Sequence, residues 1–171
     1  MGQDKIATAI AAAREYLTAN PEEARYRDSA ATAVVENGLR INITGVDGSS
    51  TVTDMVAGVG GGGTAPSPGW LFRAAYASCV ATLIAMRAAE SGITLDRLEV
   101  TVDSESDDRG ILGIAADIPA GPIRAGVAVR AAAAGVDAET LRGIISWGVA
   151  HCPVDDAVRR AVPVELRVDI G

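Results

Sequence analysis

From Trp70 to Met86 the chain runs WLFRAAYASCVATLIAM, and it continues past Arg87 to Glu90 without a glycine or a proline. A long uninterrupted apolar segment closed by Ser91-Gly92 reads as a helix with its stop signal. Its longest run free of charge, glycine and proline, Ala74–Met86, is 13 residues. A membrane-spanning helix needs about 20, and Arg73 and Arg87 flank the run closely. The segment therefore reads as the central helix of a folded domain. One residue in it needs explaining, the thiol of Cys79. The only other cysteine, Cys152, lies 73 residues further on in GVAHCPVDDAVRR. Either both are small core residues, or they are two halves of one redox site.

Working outward from that helix, Leu98, Val100 and Val102 alternate with Glu99 and Thr101, the pattern of a half-buried strand. The charged turn SESDDRG follows, and two more strands flank PAGP, at about Ile111–Ile118 and Ile123–Ala131. Asp137 is a good N-cap for a helix through Leu141, Ile144, Ile145 and Val149. Pro153 stands where a further short helix begins, which puts Cys152 at its N-cap. PVELRVDI closes the sequence as a strand. On the other side, residues 4–18 form an amphipathic helix with Ile6, Ile10, Ala13 and Leu17 on one stripe, ended by NPEE. TAVVENGLRINIT is a hairpin turning at Asn37-Gly38, where both central positions need φ > 0. A third strand at about Thr51–Val56 leads into the loose stretch AGVGGGGTAPSPG. After the first helix the order βββ-α-βββ-αα-β defines an α+β fold, not the alternation of a doubly wound parallel sheet.

A chain of 171 residues is long enough to bury a real core. We divide it into an N-terminal helical extension, residues 1–28, and one domain over residues 29–171. With aromatic residues at 4%, Ala, Val, Leu and Ile must build that core. The net charge of −7 argues against a nucleic-acid partner. A single histidine, His151, leaves no His/Cys zinc set. No basic segment followed by an apolar one opens the chain, which predicts a cytoplasmic protein. In that reducing compartment a distant cysteine pair is either inert or redox-active.

The run GVGGGG (Gly58–Gly63) contains G-x-G-x-x-G, but TAPSPG separates it from the next helix and no acidic residue follows at the dinucleotide spacing. It reads as a flexible loop between strand and helix. Ser78 lacks the G-x-S-x-G elbow of a serine hydrolase. For Cys79 alone, packing is the default, because free cysteine is among the most buried residue types. Cys152 carries more local signal: the unpaired amides and dipole of a helix N-terminus stabilise a thiolate there. Asp155 and Asp156 in the same turn oppose that shift. Arg40, on the hairpin strand, is either a solvent-facing residue or part of a site.

Taken together, three segments resemble the OsmC/Ohr family, the osmotically inducible and organic hydroperoxide resistance proteins. PSPGWLFRAAYASCVATLIAM is similar to the family's P-x-x-L-hydrophobic-x-A-x-x-x-x-C helix, with Pro68, Leu71, Ala74 and Cys79 in register. GITLDRLEVTV is similar to the strand after it, and AHCPVDDAVRRAVPVEL to the C-P-V form of the second cysteine segment. The resemblance covers about residues 30–170. It implies antiparallel sheets around a central cysteine-bearing helix, in an intertwined homodimer with active sites at the subunit interface. It further implies reduction of organic hydroperoxides, with Cys79 peroxidatic, Cys152 resolving, an external dithiol as reductant, and no metal, flavin or haem. In such peroxidases a hairpin arginine, here Arg40, activates the attacking thiol and a glutamate after the motif's proline orients it. Gly69 fills that glutamate slot. This departure keeps a second reading open, a non-catalytic relative that binds a small apolar or electrophilic ligand at the dimer interface.

Overall fold

The computed structural model describes residues 2–171, the side chain of Gln3 excepted. In chain order the elements are α1 (Gln3–Ala19), β1 (Ala31–Asn37), β2 (Arg40–Gly45), β3 (Ser50–Thr53), α2 (Pro68–Glu90), β4 (Arg97–Glu105), α3 (Asp108–Ile111), β5 (Arg124–Ala132), α4 (Ala138–Ala150) and α5 (Pro153–Arg159). The fold is α+β. Strands β1, β2 and β3 pair antiparallel in sequence order, and β4 pairs with β5. Hydrogen bonds from Ile123 N–H to Glu105 O and from Asp96 N–H to Ala132 O run this second pair antiparallel as well.

The chain divides into two compact units. The first holds Tyr76–Thr101 and Val127–Gly171, with the first residues of the chain. Its core is a helix pair. Tyr76, Val80, Ile84 and Ala88 repeat every fourth residue along α2, so they form one stripe, and all are buried. Ile144 and Gly148 of α4 continue at the same spacing to Cys152, and these too are buried. Gly148 lets the helices touch: a Cβ there would lie 2.6 Å from Ile84 Cγ1 and 2.8 Å from the Ile84 backbone nitrogen. Asp137 caps α4 by accepting the Glu139 and Thr140 N–H groups, both at 2.9 Å.

The second unit, Thr8–Ala75 and Val102–Gly126, is built on the β1–β2–β3 sheet and the glycine loop. Every residue of β1 is exposed, and Thr53 at the end of β3 is buried. The β1–β2 turn falls one residue later than Asn37-Gly38. Its central residues are Gly38 and Leu39, Asn37 pairs with Arg40, and only Gly38 has a positive φ, +57°. A turn with glycine at its first central position needs just one such residue, so Asn37 stays in the strand.

Two expected strands do not form. In place of the strand at Ile111–Ile118, Asp107 caps α3 by accepting the Arg109 N–H at 3.0 Å, and the chain then winds on. Ile114 N–H bonds back to Arg109 O at 2.9 Å, which spends locally the amide a sheet would need. Part of the expected charged turn, Ser104 and Glu105, belongs to β4 instead. At the C-terminus PVELRVDI has the alternation of a strand but no strand partner among the described residues, and its apolar side chains stand in solvent.

Candidate active site

Both cysteines lie in the first unit, and both are free thiols. Cys79 sits on α2 one turn after Tyr76 and is half-buried. Cys152 is fully buried at the N-cap of α5, with Pro153 at the first helical position. Its Sγ accepts the Asp155 N–H at 3.4 Å. The Cys79 side chain is near enough to act on the titration of Cys152. The helix N-terminus does not make Cys152 acidic. Burial pushes the thiol up, the Asp155 N–H pulls it down, and the neighbouring Cys79 adds to the rise, so the net shift is upward. The expected thiolate-stabilising cap is present, and desolvation outweighs it.

Around the pair the structure adds a network that the sequence patterns did not single out. Asp155, in the first turn of α5, is buried. Tyr76 Oη donates to its Oδ1, and Arg159 Nε donates to its Oδ2 at 2.5 Å. Burial acts to raise the Asp155 carboxyl, but the hydrogen bonds from Arg159 and Tyr76 and the arginine charge outweigh it and hold the group below its usual range. Burial first, then Asp155, pushes the Tyr76 phenol up to about 12. The one available signal was the acid-before-base spacing of Asp155 and Arg159 on one helix face. Nothing local linked either to Tyr76, 79 positions earlier. His151 ends α4, its Nδ1 2.8 Å from Trp147 O and its ring stacked on Trp147 at 4.0 Å. That is the polar helix-end role.

Arg40 belongs to the second unit. Its Nε donates to Glu36 Oε2 at 3.0 Å and its Nη1 to Thr64 Oγ1 at 2.8 Å. Thr64 Oγ1 in turn donates to Asp54 Oδ2 at 2.8 Å. Asp54 is buried and also accepts the N–H groups of Met55, Gly62 and Thr64, so it folds the glycine loop around itself. The bonds from Thr64, backbone and side chain, lead in lowering its carboxyl to about 2. Close packing explains the glycines better than a phosphate cradle does: a Cβ at Gly61 would sit 1.9 Å from Met55 O. Arg40, Asp54, Thr64 and Gly60–Gly62 line a recess of about 300 Å³.

The central helix thus carries one thiol and a following helix cap the second, in an α+β chain. Residues 60–167 match the family of OsmC-like proteins, and the chain belongs to that family. Among solved structures it is similar to an organic hydroperoxide resistance protein OsmC from Legionella pneumophila, at 24% identity and TM-score 0.58, covering 79% of this chain and 91% of that one. It is also similar to the organic hydroperoxide resistance protein OhrB of Bacillus subtilis, at 26% identity and TM-score 0.51, covering 84% and 98%. An OsmC-like protein from Mycoplasma pneumoniae shares the fold at TM-score 0.67 with 12% identity, covering 80% and 91%. No curated protein matches the chain.

Proposed function

We propose that this protein is a homodimeric thiol peroxidase of the cytoplasm that reduces organic hydroperoxides, with Cys79 attacking and Cys152 resolving. The observation that carries the reading is the proximity of the two thiols across 73 positions of sequence. The Cys79 thiolate attacks the terminal peroxide oxygen. The O–O bond breaks, the alkoxide leaves and takes a proton from water, and Cys79 becomes a sulfenic acid. Cys152, having shed its proton, then attacks that sulfur. The S–O bond breaks, hydroxide leaves as water, and the two thiols have supplied the two electrons that reduced the peroxide. An external dithiol returns the disulfide to two thiols.

Arg40 is our candidate for activating Cys79. With Gly69 in the glutamate slot, Asp54 takes over its orientation through the Thr64 hydroxyl, and Glu36 holds the other edge of the guanidinium. Asp54, its one buried member, anchors this network, while Glu36, Arg40 and Thr64 lie nearer the surface. The dimer has support from surface that a lone chain leaves exposed, above all Val164, Leu166, Val168 and Ile170 at the C-terminus.

Stoichiometric cumene hydroperoxide added to the reduced protein tests this reading by intact mass and free-thiol count. Loss of both thiols with a mass decrease of two hydrogens is expected, and Arg40→Ala should slow the first step. Thiols that persist through excess peroxide would overturn the reading. They would favour the ligand-binding alternative, which Gly69 and the raised Cys152 thiol support.

A further inference from the structure

We infer that Tyr76, Asp155 and Arg159 form a clamp that holds Cys152 in place for disulfide closure with Cys79, which makes them positioning residues of the resolving step. The roles of the two cysteines rest on the function proposed above. The clamp itself rests on geometry within one unit. Tyr76 lies one turn before Cys79 on the buried stripe of α2, and Asp155 lies one turn after Cys152 on α5. The Tyr76–Asp155 hydrogen bond therefore ties the two cysteine-bearing segments together one helical turn from each sulfur. Asp155 acts twice: its carboxylate anchors to α2, and its N–H donates to Cys152 Sγ. A buried carboxylate is costly unless paired, and Arg159, whose own side chain is largely exposed, supplies the charge that keeps it ionised. Tyr76 is 3% and Asp155 4% exposed, so water does not compete for their bond.

Such a clamp serves closure more than attack. Peroxide meets Cys79, which stands on α2 and not on the α5 segment that the clamp holds. Closure needs Cys152 to remain within bonding reach of a sulfur that has just gained an oxygen, and disulfide geometry tolerates little displacement. A loosened α5 N-terminus leaves attack intact and delays closure, so the sulfenic acid accumulates and the disulfide forms less readily.

The test compares wild type with Tyr76→Phe and Asp155→Asn in the full-length protein. One readout is trapping of the Cys79 sulfenic acid by dimedone during a single turnover with cumene hydroperoxide. The other is the equilibrium of the Cys79–Cys152 disulfide in glutathione buffers, which involves no peroxide. Each variant is expected to raise the dimedone adduct on the order of tenfold and to make the disulfide about tenfold easier to reduce, as small misplacements of reacting atoms cost that much or more. The peroxide consumed in the first turnover should match wild type. Ile144→Val, buried in the same unit but outside the clamp, controls for lost stability and should close like wild type. Adduct yield and redox equilibrium unchanged in both clamp variants would overturn the inference. If wild-type thiols ignore peroxide, the peroxidase reading fails, and the glutathione equilibrium alone still decides the clamp.

Discussion

Two buried carboxylates in this chain are kept ionised by different means. Asp155 has a guanidinium and a phenol, whereas Asp54 has backbone N–H groups and one hydroxyl. Because the folded Asp54 titrates near 2 instead of its ordinary 3.8, its contribution to stability is present above 3.8 and is lost as pH falls through 2. Asp155, also lowered, acts in the same direction. Urea midpoints measured from neutral pH downward should fall across that window. Asp54→Asn should be less stable at neutral pH and lose less on acidification, whereas an unchanged acid slope would mean other carboxylates dominate. Cys152 titrates the other way. Its thiol is raised above 9.0, burial leading, so the attacking thiolate is the minor form at neutral pH. Closure of the disulfide in a single turnover should quicken as pH rises above neutral, by about tenfold per pH unit while the thiol is still mostly protonated. A rate flat over that range would place the slow step elsewhere.

At the scale of elements, α4 meets α2 closely at Gly148. A methyl group at this position meets the Ile84 backbone nitrogen at 2.8 Å, and backbone cannot step aside as a side chain can. Gly148→Ala should therefore destabilise the protein by about 1–3 kcal/mol, the usual range for overpacking, in spite of alanine's better helix propensity. A denaturation midpoint equal to or above wild type would show that the helices can part freely. Period and punctuation were enough to read α2, α4 and the Cys152 cap from sequence, since a four-residue stripe and an Asp or Pro at a helix start are local signals. The strand expected at Ile111–Ile118 failed because Asp107 offers the backbone a cap in competition with a sheet partner. Gly38 shifted the hairpin turn by one residue because a single positive φ suffices there. The Tyr76–Asp155 bond escaped for a different reason: it joins residues 79 apart, and no local pattern encodes such a distance.

For the whole molecule, the question is what covers its surface. The chain exposes 12,164 Å². Two separate domains of half its mass would together expose about 9,500 Å², about 2,700 Å² less. Obligate interfaces bury areas of that order. The clearest unpartnered element is the C-terminal segment, where Val164, Leu166, Val168 and Ile170 are 89%, 84%, 68% and 88% exposed and alternate with Glu165, Arg167 and Asp169. A segment with strand alternation and no strand partner among the described residues has the makings of an edge that pairs with a second copy. Sedimentation of the intact protein should then give a dimer. Replacing two of these positions together, Leu166→Glu and Ile170→Glu, should weaken it by at least about 2 kcal/mol per site, the loss typical of a buried interface anchor. That corresponds to roughly thirtyfold per site in the dissociation constant. In a chain whose tail simply hangs in water, the same two glutamates would cost nothing, and an unchanged dimer would assign the excess surface to some other face.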